Sequence, residues 1–189
     1  MENTRLIIAY GSPGTKLANT FGNIAYMFLD HAYFRAINIT PTLAIRQWVT
    51  KSKYMFSVVN SDPVTLIVKP RTYPKDFVHV ARDLFRFYHP LPQDFYVVYP
   101  SLDINFGEYK ITSDPGKFAP ENVEKLSSMI NNNDYLKVRI GVGQGGIFSK
   151  PSPAIFDKEL GEADRSAITL ISQKLGMELG LIPKSARSL

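Results

Sequence analysis

The sequence contains no cysteine. That excludes disulfides, thiolate nucleophiles and Cys-ligated zinc. Histidine is scarce, with only His31, His79 and His89. His31 falls on an apolar helical stripe, His79 on a half-polar helical face and His89 at a helix end. None stands in a Ser-His-Asp pattern, and their spacing does not make a zinc set. No metal and no cofactor is therefore expected. No apolar run approaches the ~18 residues of a membrane span, so no membrane partner is expected, and nothing signals DNA. The opening Met1–Arg5 runs into a strand, without the pattern of a signal peptide or an Arg-rich transit helix.

What is present is ordinary for a globular chain. Of 189 residues, 44% are hydrophobic and 21% charged. The expectation is one domain over residues 1–183 and a flexible tail over 184–189. Lys plus Arg is 22 and Asp plus Glu is 17, a net charge of +5. This surplus fits a polyanionic partner such as RNA, and equally a mildly basic solvated surface.

The chain reads as β-α-β-β-α-β-β-α-β-α. Arg5–Tyr10 is a short apolar run closed by Gly11, hence a buried strand. Ala18–Ala36 repeats apolar residues at helical spacing, with Asn19 and Thr20 as capping chemistry. Phe56–Asn60 and Thr65–Val68 are strands separated by the turn Ser61-Asp62-Pro63. Phe77, Val80, Ala81, Leu84, Phe85 and Tyr88 mark an amphipathic helix, stopped before Pro90. Phe95–Tyr99, Glu108–Thr112 and Leu136–Val142 read as strands. Val123, Leu126 and Ile130 mark a helix entered at Pro120, and Ile168, Ile171, Leu175 and Leu179 mark the last helix. The fold class is α/β: a single domain with a central mixed β-sheet and helices on both faces. The least regular stretches are Ile39–Met55, Ser113–Ala119 and Gln144–Pro153. Gly11-Ser12-Pro13-Gly14 lacks the Lys-Ser/Thr of a phosphate loop, and a tight strand-to-helix turn explains it better. Gln144-Gly145-Gly146 reads as a loose turn.

Four blocks resemble bacterial-type peptidyl-tRNA hydrolases. Ile7–Asp30, IIAYGSPGTKLANTFGNIAYMFLD, is similar to a family strand, Gly-Asn-Pro-Gly turn and helix. Lys69–Val98 follows a Lys-Pro-x-Thr-Tyr-Met-Asn loop, an amphipathic helix, a Pro-x-Asp turn and a strand. In Val97–Gly107, Leu102, Asp103 and Gly107 keep the frame of a His-Asp-x-Leu-Asp turn. Val138–Gly143, VRIGVG, resembles an Arg-Ile-Gly-Ile-Gly strand end. The resemblance implies the peptidyl-tRNA hydrolase-like, phosphorylase/hydrolase-like fold.

It also implies where a site lies. The family's mechanism needs a His base, an Asp that orients it and Asn amides. By register, the Asn of the first turn falls on Ser12 and the His on Gly22. Met-Asn of the second block falls on Pro74-Lys75, and the Asp on Pro100. The Asn of a Gly-His-Asn-Gly helix start falls near Glu124 or Asn122. Loss of a general base alone costs ~10²–10⁴ in rate. The expectation is a non-enzyme, a pseudoenzyme without catalytic residues. It would be a binding or structural subunit of an RNA–protein assembly, an organellar ribosome or splicing complex, mitochondrial or cytoplasmic. A chloroplast relative in group II intron splicing gives protein partners a precedent. The alternatives are a free-standing RNA/tRNA-binding module, or an esterase with relocated catalytic residues. Lys75, Lys110, Lys117, Lys125, Lys137 and Arg139 are the candidate RNA-binding cations, expected on one rim of the inherited cleft.

Overall fold

The structure, a computed structural model, describes residues 4–39, 47–59, 64–143 and 152–182. The expected turn at Ser61-Asp62-Pro63, the turn at Gln144-Gly145-Gly146 and the tail 184–189 lie outside the described residues.

In chain order the strands are β1 (Arg5–Ala9), β2 (Val49–Thr50), β3 (Tyr54–Val59), β4 (Thr65–Pro70), β5 (Phe95–Asn105), β6 (Tyr109–Thr112) and β7 (Leu136–Gly143). The helices are α1 (Ile24–Ile39), α2 (Phe77–Tyr88), α3 (Glu121–Ile130) and α4 (Glu162–Glu178). All seven strands form one sheet in the order β2-β3-β4-β1-β5-β7-β6. β1 is parallel to β4 and β5, and β5 to β7, whereas the β2–β3, β3–β4 and β6–β7 pairs are antiparallel. The sheet is therefore mixed, as the hairpin-like strand pairs in the sequence implied.

Alternation along the central strands sends side chains into two cores. Ile7, Ala9, Val98, Val138 and Ile140 pack under α1 and α4. Leu6, Ile8, Phe95, Val97 and Tyr99 pack under α2 and α3. Both faces are covered, which is why Leu6–Ala9 reads as a continuous apolar run. On α2, Phe77, Val78, Val80, Ala81 and Leu84 are buried. The helix ends at His89, which takes the left-handed conformation (φ 48°) just before Pro90.

Three local expectations change. The first helix starts at Ile24 rather than Ala18, because residues 19–21 bond elsewhere. The Leu160 amide donates to the Asn19 carbonyl and the Phe21 amide to the Lys158 carbonyl. Phe21–Asn23 then forms one 3-10 turn before the α-helix. Second, β5 continues to Asn105, because pairing with β7 resumes across an irregularity between Ser101 and Asn105. Third, the short edge strand β2 lies within the stretch expected to be irregular.

Candidate active site

Open α/β sheets place ligands outside the carboxyl ends of their strands. Here the carboxyl ends of β1 and β5 open into a cleft of about 590 Å³. Ser12, Gly22 and Pro100, far apart in sequence, line it together.

The turn after β1 is pinned to the start of α1. The buried Asn23 accepts from the Ser12 amide at 2.7 Å and donates its Nδ2 to the Ser12 carbonyl at 2.9 Å. Two hydrogen bonds from one side chain fix the register of the turn. They stand in for the backbone ladder that ends at Tyr10, whose amide donates to Val98.

Gly22 faces a wall made from the other end of the domain. A Cβ built there would stand 2.8 Å from the Phe156 carbonyl oxygen and 3.3 Å from the Phe156 Cβ. The segment Pro153–Asp157 is itself a 3-10 turn. It is held against residues 19–21 by the backbone bonds described above and by the Thr20–Glu159 bridge. The absence of a side chain at position 22 is thus matched by close approach of this backbone.

The opposite side of the cleft is polar. Tyr10 lines it and packs edge-on against Phe77 at 5.1 Å between ring centroids, with Asn122 lining the same cleft. Burial holds the Tyr10 hydroxyl above its ordinary pKa, only partly offset by Asn122. Asn122 stands in the first turn of α3, and its Nδ2 donates to the Pro74 carbonyl at 3.0 Å. Of the two positions the sequence left open, Asn122 lines the cleft, whereas Glu124 is exposed and outside its lining. Lys75 is exposed beside the lining residue Pro74 but does not itself line the cleft.

The third wall is the loop between β6 and α3. Asp103 stands beside it, accepting from the Ser101 hydroxyl and from Arg139 Nη1 at 2.9 Å, next to Gly116 of the loop. Tyr99 adds a bond from its hydroxyl to the Pro115 carbonyl at 2.6 Å. Gly116 is required where the loop crosses Arg139. Its φ is +79°, and a Cβ there would fall 1.7 Å from Arg139 Nη1. Lys117 and Phe118 from this loop line the cleft.

The expected basic rim is corrected in part. Lys137 and Arg139 are buried, at 1% and 5% exposure. β7 lies between β5 and β6 with both faces covered, so alternate residues enter a core instead of a rim. Lys137 Nζ donates to the Asn133 carbonyl at 2.8 Å and sits 3.7 Å from the Tyr135 ring centroid. Burial lowers its pKa to about 8, against the opposing pull of Asp134 and Asp114. Arg139 is taken up by Asp103. Lys110 is exposed on β6, the edge strand, outside the cleft lining. Lys125 is exposed on α3 and pairs with Glu121 at 2.5 Å. Lys117 alone of the six lines the cleft, with Lys75 adjoining it. None of the histidines lines it.

The sequence reading missed Tyr10, Phe118, Phe156 and Asp157, all of which line the cleft. Tyr10 was legible in principle, as the residue that closes a strand before Gly11. Phe156 and Asp157 carried no local signal, because their place depends on contacts across more than a hundred residues.

The model of the family described as peptidyl-tRNA hydrolase matches residues 6–156. Among curated proteins, the peptidyl-tRNA hydrolase of Mycolicibacterium gilvum is 27% identical over 144 residues, 76% of this chain and 72% of that one. That of an Azoarcus species is 26% identical over 184 residues, 97% of this chain and 79% of that one. The crystal structure of peptidyl-tRNA hydrolase from Acinetobacter baumannii superposes with a TM-score of 0.75 at 18% identity, covering 96% of this chain and 89% of that one. The last likeness establishes the fold. The relatives carry the name of an enzyme, and this overturns the expectation of a non-enzyme. At 23–27% identity, substitutions at individual site positions do not establish loss of activity. With a family match over most of its length and a shared fold, the chain belongs to the peptidyl-tRNA hydrolase family.

Proposed function

We propose that this chain recognises the acylated 3′ end of a tRNA-type RNA and serves as an RNA-binding component of an RNA–protein assembly. The observation that carries this reading is the cleft itself, open and walled at Ser12, Gly22, Pro100 and Asn122. Its chemistry suits such a ligand. Aromatic side chains (Tyr10, Phe118, Phe156) offer surfaces for an unstacked base. Amide and hydroxyl groups offer partners for the acyl linkage, and Lys117 and Lys75 supply cations at the mouth.

The test is a binding titration with a short acceptor-stem RNA bearing a stable aminoacyl amide at its 3′ end. Saturable binding that exceeds binding of the uncharged RNA supports the reading. Equal binding of the two RNAs, or none, overturns it. Recovery of a partner that survives nuclease treatment supports the assembly role, and a chain that elutes free under all conditions argues against it.

A second reading is favoured by one specific observation: two carboxylates, Glu121 and Asp157, line the same cleft. It is ester hydrolysis with relocated groups. Lys125 holds the Glu121 carboxyl below its ordinary pKa, which makes it a poor proton acceptor at neutral pH. Asp157 is then the base to test. Cleavage of peptidyl-tRNA that falls at least tenfold in Asp157→Asn supports it, and cleavage unchanged in that variant refutes the assignment.

A further inference from the structure

We infer that Tyr10 is the specificity-determining hydrogen-bond donor of this cleft, binding the carbonyl oxygen of the acyl group through its phenol. The inference rests on the reading of the cleft as an acyl-RNA site. Tyr10 leaves β1 at its carboxyl end and turns its ring into the cleft, where Phe77 fixes it edge-on. A phenol held by ring packing is a pre-positioned donor with little conformational freedom to lose on binding. Asn122, in the first turn of α3, lines the same cleft and is held there by its bond to the Pro74 carbonyl. The phenol and this amide thus reach the cleft from two different elements.

The state of the phenol agrees with this role. Burial raises its pKa, so at neutral pH it keeps its proton and donates. A carbonyl oxygen accepts such a bond, whereas a protonated amine or a methylene at the same point does not. Ser12 cannot easily compete through its backbone, because its amide and carbonyl are both committed to Asn23. The adjacent Gly22 contributes no side chain. Of the neutral hydroxyls that line the cleft, those of Tyr10 and Ser12 among them, the Tyr10 phenol is the one fixed by ring packing, and loss of one such bond corresponds to about a tenfold change in affinity.

The experiment measures binding of two small ligands to the wild-type chain and to Tyr10→Phe. One is 3′-amino-3′-deoxyadenosine carrying an amide-linked amino acid, and the other is the same nucleoside without the acyl group. In the wild type the acylated ligand is expected to bind more tightly. In Tyr10→Phe that advantage should shrink about tenfold while the affinity for the unacylated nucleoside stays unchanged. A merely structural role would weaken both ligands together. An acyl advantage retained in Tyr10→Phe overturns the inference and leaves the cleft reading standing. Failure of the wild type to prefer the acylated ligand overturns both. A second measurement needs no variant. The ligand with a methylene in place of the carbonyl should bind the wild type about tenfold more weakly than the amide, and equal affinity would overturn the inference.

Discussion

Removing the Asp103 carboxylate should unseat one wall of the cleft. Arg139 is buried, its side chain 7% exposed, and Asp103 is its ion-pair partner at 2.9 Å. Arg139 Nε already lacks a hydrogen-bond partner. Asp103→Ala leaves the guanidinium without its counter-charge and strips the Ser101 hydroxyl of its acceptor. Breaking a buried pair from one side costs about 3–5 kcal/mol. The Asp103 side chain is 25% exposed, so water replaces part of what is lost, and about 3 kcal/mol is the working figure. For a chain of this size that is a fall of roughly 6–12 °C in melting temperature. Urea unfolding measures the loss, and hydrogen exchange at the Lys117 amide reports release of the loop. Asp103→Ala combined with Arg139→Met should recover most of the stability, since the uncompensated charge is then gone. A loss below about 1 kcal/mol in Asp103→Ala, or a double variant no more stable than the single one, would refute the assignment of this pair as the clamp on the loop.

Other outcomes follow from the same geometry. Burial pushes the Asp103 carboxyl up, but the Ser101 hydroxyl, Arg139 and backbone amides outweigh it and hold the pKa below the ordinary value. Its contribution is therefore fully present above the unfolded value of about 3.9 and is lost as pH falls through the folded one. Asp103→Asn should flatten this acid limb in unfolding titrations. Lys137 runs the other way. Its pKa is lowered from 10.5 to about 8, so the unfolded chain binds more protons between those values and stability should rise as pH climbs through that window. Lys137→Met should be more stable than wild type near pH 7 and should lack the rise, as measured by denaturant midpoints from pH 7 to 10. Gly22→Ala forces a Cβ to within 2.8 Å of the Phe156 carbonyl and should destabilise by ~1–3 kcal/mol. Because the obstacle is backbone, adding Phe156→Ala should not restore stability, and full rescue would show that the side chain was the obstacle instead. Lys117→Ala and Lys75→Ala should each weaken RNA binding and lower the slope of log K against log salt by about 1, whereas Lys110→Ala should leave both unchanged.

The fold was legible because its signals are local and redundant. Apolar runs too short for helices marked the strands, and the stripe from Phe77 to Tyr88 marked α2. Site positions were legible only where a motif held its length. Ser12, Gly22 and Pro100 could be placed because each follows a strand or opens a helix that the sequence marks, and the fold brings them into one cleft. Register failed across residues 113–121, where length departs, and there the amide donor was placed at Glu124 as readily as at Asn122. The error over Lys137 and Arg139 has a different source. Period-two alternation says that two residues share a face, but it does not say whether that face is solvent or core. For β7 the answer depends on β6 and α3 covering it, which no window around Lys137 contains. The late start of α1 is a case of the same kind, since its first turn is displaced by backbone bonds from residues 158 and 160.

The cleft keeps its shape through ties that do not involve position 22. Asn23 holds the turn at Ser12, Asn122 holds the loop at Pro74, and Tyr99 holds the loop at Pro115, each through a side chain bonded to backbone. Such ties fix walls regardless of which side chain stands at the reacting centre. The walls of the cleft are therefore compatible with a glycine at position 22. The lining also directs the search for activity. The groups available to act on a bound ester are those that line the cleft: the Tyr10 phenol, the Ser12 hydroxyl, the Asn122 amide and the Asp157 and Glu121 carboxylates. Among the described residues, Glu121 is paired with Lys125, which leaves Asp157 as the carboxylate to test for hydrolysis of peptidyl-tRNA and Tyr10 and Asn122 as the groups to test for binding.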